Sequence, residues 1–190
     1  VAYSPDGSRI ATVGWSPLLQ KLDAHSGSGI TSVAYSPDGS RIATVGYGRT
    51  MRCACGTPRT YSVAYSPDSS RIATVGSDRA LRVWDASDLS SPLLQKLDAH
   101  SGSGITSVAY SPDGSRIATV GWDNALRVWG ASDLSSPPLE KLNAHSSWIN
   151  SVAYSDNRIA TVGYGSTRSP TRPTALRVWD ASHLSSPLLQ

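Results

Sequence analysis

The stretch that decides the fold is residues 105–146, which read ITSVAYSPDGSRIATVGWDNALRVWGASDLSSPPLEKLNAHS. Two runs rich in β-branched residues, ITSVAYS and RIATVG, flank SPDG, which places Ser, Pro and Gly at the first, second and fourth positions of a type I turn. These runs predict a β-hairpin. ALRVW predicts a third strand after the turn at Trp122-Asp123-Asn124, and PLEKLNA predicts a fourth strand after a Ser- and Asp-rich loop.

The same unit recurs along the whole chain. The string VAYS marks each hairpin, and it begins at Val1, Val33, Val63, Val108 and Val152. The spacings of 45 and 44 residues define the full unit, and the shorter spacings of 32 and 30 residues indicate deletions. Residues 16–46 are identical to residues 91–121, which indicates copying within the chain. We predict a single domain over 1–190 with five units, which start near residues 1, 30, 61, 105 and 149.

Two of the five units are truncated. The first passes from Trp15 directly to Ser16 and omits the equivalent of residues 123–135, so it lacks a third strand. The second continues after its hairpin as YGRTMRCACGTPRTYS, which offers at most one irregular strand over 50–54. The sequence therefore predicts three nearly complete units. No stretch has a sustained apolar period of 3.6 residues, which argues against a helical solenoid.

Composition and charge restrict the class of protein. Apolar residues make up 39% of the chain, with 6 Trp and 8 Tyr, as is typical of a globular protein. The net charge of +3 is spread through the repeats, so we expect no specific binding of nucleic acid. No apolar run approaches the roughly 20 residues of a membrane helix, and no signal peptide is recognisable, so we expect a cytoplasmic protein that does not bind membranes.

The two cysteines, Cys53 and Cys55, are separated by one residue. This spacing suits neither a useful disulfide nor a four-ligand metal site, and we expect no metal or cofactor. Three arginines surround the pair: Arg49, Arg52 and Arg59. Two interpretations stay open, a reactive thiol whose pKa these arginines lower and a remnant of the deletion without a function.

Short motifs in the chain resemble the WD-repeat, or β-transducin-like, family over nearly its whole length. SVAYSPDG is similar to the strand-turn signature, and the dipeptides Trp84-Asp85 and Trp179-Asp180 match the family's name-giving pair, while Trp129 is followed by Gly130. His100 and His145 lie where the family has Gly-His, with Ala replacing the Gly. The resemblance implies an all-β β-propeller. Because rings close with roughly four to eight blades, we expect an incomplete fragment of a longer propeller.

The resemblance also implies a hydrogen-bonded tetrad inside each blade, formed by a His, a Ser or Thr, an Asp and a Trp. All four are present in one unit only, as His100, Thr119, Asp123 and Trp129. The preceding unit keeps Thr74, Asp78 and Trp84, and the last keeps His145, Thr161 and Trp179 with Gly165 at the Asp position. The tetrad implies a structural role, and because no Gly-x-Ser-x-Gly elbow is present, we expect no catalytic residues.

Aromatic residues in the connections before the first strand and after the second strand are candidates for partner binding, because these connections share one end of a propeller. Trp and Tyr are enriched at interface hot spots. The candidates are Trp15, Tyr47, Trp122, Trp148 and Tyr164. Packing between neighbouring blades is the alternative for these side chains. An insertion over 164–174, YGSTRSPTRPT, predicts either a solvated loop or a segment for modification or an acidic partner.

These features favour a non-catalytic scaffold that binds a peptide or protein partner at the rim of the propeller. One alternative is a sensor or regulatory arm of a longer enzyme. Another is a degenerate fragment without a maintained function. Open blade edges also predict self-association.

Overall fold

The computed structural model describes residues 1–12, 29–46, 59–102, 104–164, 174–185 and 187–189, and every regular element within them is a β-strand. The strands are β1 (Ala2–Tyr3), β2 (Ile10–Ala11), β3 (Ile30–Tyr35), β4 (Ile42–Gly46), β5 (Thr60–Tyr65), β6 (Arg71–Gly76), β7 (Leu81–Asp85), β8 (Leu94–Lys96), β9 (Ile105–Tyr110), β10 (Arg116–Gly121), β11 (Leu126–Gly130), β12 (Leu139–Lys141), β13 (Ile149–Ser155), β14 (Arg158–Tyr164), β15 (Thr174–Asp180) and β16 (Pro187–Leu189).

The described strands form five antiparallel sheets in chain order. The first sheet is β1-β2 and the second is β3-β4, while the third (β5 to β8), fourth (β9 to β12) and fifth (β13 to β16) each have four strands. Neighbouring sheets meet through their first strands, which lie side by side in the order β1, β3, β5, β9 and β13. The prediction of five units, three of them nearly complete, is confirmed.

The hairpin turn has the hydrogen bond that the SPDG motif predicts. In the fourth sheet the Gly114 N–H donates to the Ser111 carbonyl at 2.9 Å, and Gly114 has a φ of +72°, which favours glycine. The Asp113 carboxylate accepts from the Ser111 hydroxyl and from the Ser115 backbone and hydroxyl. These bonds, the Ser111 hydroxyl first, lower the pKa of Asp113 to about 2. The motif therefore satisfies its own polar groups at the end of the hairpin.

The core lies between the sheets. The second strands of the third and fourth sheets alternate their side chains between two neighbouring sheets, because successive residues of a strand point to opposite faces. In β10, Ile117 packs with the third sheet, while Ala118 and Val120 pack with the fifth, and all three are fully buried. In contrast, Tyr3 is 64% exposed and Ile10 58% exposed in the first sheet. Apolar burial is therefore concentrated in the third to fifth sheets.

Polar contacts repeat at each junction between sheets. An arginine at or just before the start of the second strand donates to a carbonyl just after the third strand of the next sheet: Arg41 to Ala86 at 2.8 Å, Arg71 to Ala131 at 3.2 Å and Arg116 to Ala181 at 3.0 Å. Lysines of the fourth strands lie over tryptophans of the following sheet, Lys96 over Trp129 and Lys141 over Trp179. These contacts favour a fixed orientation of neighbouring sheets.

Two details differ from the sequence prediction. The fourth strand of the full unit covers only Leu139–Lys141, because Asn143 has a φ of +52° and the backbone leaves the extended conformation before it. The insertion is shorter than the predicted range of 164–174, because the two end residues of that range, Tyr164 and Thr174, pair with each other in β14 and β15. The described parts of the chain contain no helix that could serve as a membrane span.

Candidate functional site

The fourth sheet contains a continuous chain of hydrogen bonds through its interior. The Trp129 indole N–H donates to the Thr119 hydroxyl at 2.9 Å, and Thr119 Oγ1 lies 2.8 Å from His100 Nε2. His100 Nδ1 lies 2.9 Å from Asp123 Oδ1. The contact with Asp123 is a hydrogen bond when His100 donates from Nδ1 and the Thr119 hydroxyl donates to Nε2. Arg127 Nη1 lies 2.8 Å from the same Nδ1, which accepts from Arg127 in the other neutral tautomer.

Asp123 connects this chain to a second charged group. Its Oδ2 accepts from Arg127 at 2.7 Å, and Arg127 also contacts Glu140 at 2.5 Å. Burial alone raises the pKa of Asp123, but the hydrogen bonds from His100 and Arg127, together with the positive charge of Arg127, outweigh burial and hold that pKa below its usual range. Burial lowers the pKa of His100, and Asp123 opposes this effect only in part. Asp123 is therefore ionised and His100 neutral at pH 7.

The fifth sheet has the same chain without its carboxylate. The Trp179 indole donates to Thr161 at 2.9 Å, and Thr161 Oγ1 lies 2.8 Å from His145 Nε2. Among the described residues, His145 Nδ1 has no hydrogen-bond partner. Burial, with a further contribution from the Arg177 charge, lowers the pKa of His145 to about 4. The position predicted to have lost its Asp, Gly165, lies outside the described residues.

The third sheet keeps the other half of the pattern. The Trp84 indole donates to Thr74 at 2.8 Å, and Asp78 pairs with Arg82 at 2.6 Å. The three sheets thus contain three forms of the network. The fourth sheet has the complete network, and the fifth has a histidine whose Nδ1 bonds to no described residue. The third has an Asp–Arg pair, and its sequence motif has no matching histidine.

The geometry of the fourth sheet argues against a hydrolytic centre built from its His, Asp and hydroxyl groups. A nucleophilic hydroxyl must reach the substrate, yet Thr119 is fully buried and its oxygen already accepts the Trp129 indole proton. His100 is 1% exposed. The network can orient strands and stabilise the sheet, but it offers no access to a substrate. Over the parts of the chain that are described, no group of three or more His, Cys, Asp or Glu residues could hold a metal ion.

Two of the predicted partner-binding residues meet at one end of the sheets. Trp122 follows β10 and Trp148 precedes β13, and their ring centroids lie 6.0 Å apart at an interplanar angle of 45°. The Tyr164 N–H donates to the Trp148 carbonyl at 3.0 Å. Trp148 is 48% exposed, and the side chains of Trp122 and Tyr164 are half-buried. The other two candidates, Trp15 and Tyr47, lie outside the described residues.

The structure adds Tyr61, which the sequence analysis did not select. Its ring lies 5.5 Å from the ring of Trp122, at an interplanar angle of 52°. The signal was available in the repeat itself, since the equivalent positions are Thr31, Thr106 and Asn150 and only this unit has an aromatic residue there. We call Tyr61, Trp122 and Trp148 the aromatic face; its members come from the third, fourth and fifth sheets.

Close packing against the backbone holds the aromatic face in place. Gly104 has a φ of +48°, and a Cβ at this position would lie 3.3 Å from the Tyr61 ring and 3.4 Å from the Trp122 ring. The Trp122 N–H also donates to the Gly104 carbonyl at 3.3 Å. A side chain at this position would press on both rings, and the positive φ also favours glycine.

The four-stranded sheets are antiparallel and follow each other in chain order, with their first strands side by side. Their apolar faces pack against the neighbouring sheets. This arrangement defines the β-propeller class of all-β proteins. A family model described as "WD domain, G-beta repeat" matches residues 16–53, 56–85 and 91–130, more than half of the chain. The chain therefore belongs to the WD-repeat family, as the motifs indicated.

Comparison with solved structures supports the fold. The chain is similar to a protein whose structure is titled "Structure of U3-55K", with a TM-score of 0.64 and 17% sequence identity over 84% of this chain. The match covers 50% of that structure, so the chain spans about half the length of this neighbour. A search of curated proteins finds no significant match.

Proposed function

We propose that this chain is a non-catalytic interaction scaffold and that its aromatic face binds a protein or peptide partner. WD repeats generally serve in protein–protein interaction, and this supports the class of function. The location of the proposed binding surface rests on the contact between Trp122 and Trp148 across two sheets, and on Trp148 being about half exposed. Large aromatic side chains with few rotatable bonds give contact area at a small entropic cost.

Rigidity of the aromatic face supports the same proposal. Tyr61 lies in β5, and Trp122 and Trp148 directly adjoin β10 and β13, so all three residues are attached to the four-stranded sheets, which contain most of the buried core. The backbone at Gly104 lies close against two of the three rings. A surface that is already ordered loses little conformational freedom on binding, which favours affinity.

The test is selection of peptide ligands from a random library against the full chain, followed by affinity measurements with variants. We expect Trp148→Ala to weaken the selected ligands at least about tenfold, as truncation of a hot-spot aromatic residue does. Tyr3→Ala is the matched control, because Tyr3 is an exposed aromatic residue in the first sheet. Ligands that bind Trp148→Ala and the parent chain equally, while Tyr3→Ala weakens them, would contradict the proposed location.

A further inference from the structure

The hairpin turns lie side by side at the end of the strands opposite the aromatic face. Arg9 of the first turn donates to the Gly39 carbonyl of the second at 3.3 Å, and the Asp38 N–H of the second donates to the Ser69 hydroxyl of the third at 3.2 Å. Each turn has one exposed carboxylate. We call these four residues the acidic row: Asp6, Asp38, Asp68 and Asp113.

The acidic row is ionised and belongs to a negatively charged end of the molecule. Hydrogen bonds from serines within the turns lower the pKa of each carboxyl to about 2. Across the five turns and the described connections that begin beside them, nine Asp stand against five Arg, although the whole chain has a net charge of +3. This end of the described structure therefore attracts cations.

A cavity of about 230 Å³ lies between the third and fourth turns. Asp68 lines it on one side and Asp113 on the other. The two turns approach closely beside the cavity, since a Cβ at Gly114 would lie 3.3 Å from Pro67. Two carboxylates of the acidic row thus share one cavity with walls from two neighbouring sheets.

Tyr110 lines the same cavity and contributes a hydroxyl that bonds to no described residue. Its side chain is buried, with 8% of the residue exposed. Burial raises the pKa of this hydroxyl, Arg71 lowers it and Asp68 raises it, so the nearby charges are those of the cavity. A buried hydroxyl without a partner is unfavourable, and a ligand that donated to it would remove that cost.

The charges of the cavity favour a cationic ligand. Two carboxylates face one guanidinium, that of Arg71, which donates from Nη1 to the Ala131 carbonyl. The candidate acceptors, Asp68, Asp113 and Tyr110, are on three separate side chains. An ammonium group has three donors that point in different directions, whereas the planar guanidinium of arginine suits one carboxylate in a bidentate pair.

We propose that the cavity between the third and fourth turns binds the ammonium group of a lysine in a basic peptide segment, with Asp68, Asp113 and Tyr110 as acceptors. The rest of the acidic row attracts the flanking cations of the segment. This surface lies at the other end of the strands from the aromatic face and does not depend on the function proposed for that face.

The experiment titrates the full chain by calorimetry with an acetylated, amidated heptapeptide in which lysines alternate with glycines. One control peptide has every lysine acetylated at Nζ, and another has arginine in place of lysine. We expect the lysine peptide to bind, with an affinity that falls as salt is raised, and the acetylated peptide to bind at least about tenfold more weakly. Equal binding of the acetylated peptide would overturn the proposal, and equal or tighter binding of the arginine peptide would overturn the choice of lysine.

Charge variants test the position of the ligand. Asp113→Asn keeps the size of the side chain and an acceptor oxygen for the turn, and we expect it to weaken the lysine peptide at least about fivefold. Asp6→Asn is the matched control, because Asp6 has the same serine bonds in the first turn and does not line the cavity. We expect its effect to stay within about twofold. Equal effects would show diffuse attraction without a site and would overturn the proposal.

Hydroxyl variants provide a readout that diffuse attraction would not affect. Tyr110→Phe should leave the melting temperature of the free chain unchanged or raise it, because the hydroxyl bonds to no described residue, and should weaken the lysine peptide about tenfold. Tyr154→Phe is the control, since the equivalent hydroxyl in the next sheet bonds to Arg116. Unchanged binding by Tyr110→Phe, or a lower melting temperature of its free form, would overturn the proposed role of Tyr110.

Discussion

His100 Nδ1 lies 2.9 Å from Asp123 Oδ1, whereas the corresponding nitrogen of His145 in the next sheet has no partner among the described residues. Both histidines are 1% exposed and both contact a buried threonine through Nε2 at 2.8 Å. The two buried histidines are therefore matched at Nε2 and differ at Nδ1, where His100 contacts Asp123 and Arg127. This difference makes the contribution of the carboxylate measurable within one chain.

Removal of the carboxylate in the complete network should be costly. Asp123→Ala leaves His100 Nδ1 and Arg127 without their shared acceptor, and we expect a loss of about 2–4 kcal/mol in the free energy of unfolding. Urea denaturation measures this loss. Asp78→Ala is the matched control, because Asp78 pairs with Arg82 but bonds to no described histidine, and its loss should be smaller. Equal losses would contradict the role given to the His100 bond.

The two histidines should respond unequally to the same substitution. His100→Leu removes polar contacts with Asp123, Thr119 and Arg127, and His145→Leu removes only the contact with Thr161 from the described network. We expect His145→Leu to destabilise the chain less, by about 1–2 kcal/mol, because an apolar side chain relieves the unpaired Nδ1. Urea denaturation of the two variants decides this, and a larger loss for His145→Leu would show that Nδ1 has a partner.

Stability should fall in mild acid because of His145. Its pKa is about 4 in the folded chain against an ordinary value of 6.5, so between these pH values the unfolded chain binds more protons than the folded chain. The contribution of neutral His145 is complete above pH 6.5, decreases as pH falls, and is lost below about pH 4. Denaturation at a series of pH values should show a shallower decrease for His145→Leu, and an unchanged slope would contradict this source of acid sensitivity.

Turn glycines provide a measure of contact between neighbouring sheets. Gly7 and Gly114 have φ values of +70° and +72° in equivalent turns, so alanine at either position should cost about 1 kcal/mol in backbone strain. A Cβ at Gly114 would also lie 3.3 Å from Pro67 in the third sheet, while a Cβ at Gly7 would meet nothing within 4 Å. We expect Gly114→Ala to lower the melting temperature more than Gly7→Ala. The reverse order would argue against close packing of these turns.

Exposed apolar side chains on the first two sheets should promote self-association. Tyr3, Ile10 and Ile42 are 64%, 58% and 48% exposed. Apolar surface of this kind recruits other chains, so we expect the apparent mass in size-exclusion chromatography with light scattering to rise with concentration. Replacement of Ile10 and Ile42 by Ser should reduce this rise. A monomer at every concentration would contradict the prediction.

The repeat pattern was sufficient to predict the fold, since both local and global signals agree within each unit. The turn motif Ser111 to Gly114 has one favoured conformation, and the β-branched runs beside it fit strands that are buried on both faces. The truncation after Trp15 predicted that the first unit lacks its third strand, because the missing residues include that strand.

The candidate site was less accessible to sequence reasoning. The four residues expected to form a tetrad could be named from the motif, and the structure shows the bonds that connect them. The contact between Trp122 and Trp148 depends on how two sheets pack, and the spacing of motifs along the sequence does not predict this packing. Tyr61 was missed because it occupies a position inside a strand, where an aromatic residue resembles ordinary core until its neighbour across the junction is known.

The most direct test of the aromatic face is a heteronuclear NMR titration that follows the indole N–H signals of the tryptophans as a library-selected ligand is added. We predict that the signals of Trp122 and Trp148 shift in proportion to occupancy, while those of Trp84, Trp129 and Trp179, which donate to buried threonines, stay in place. Single Trp→Phe variants assign each signal. A bound ligand that leaves Trp122 and Trp148 unmoved would contradict the account.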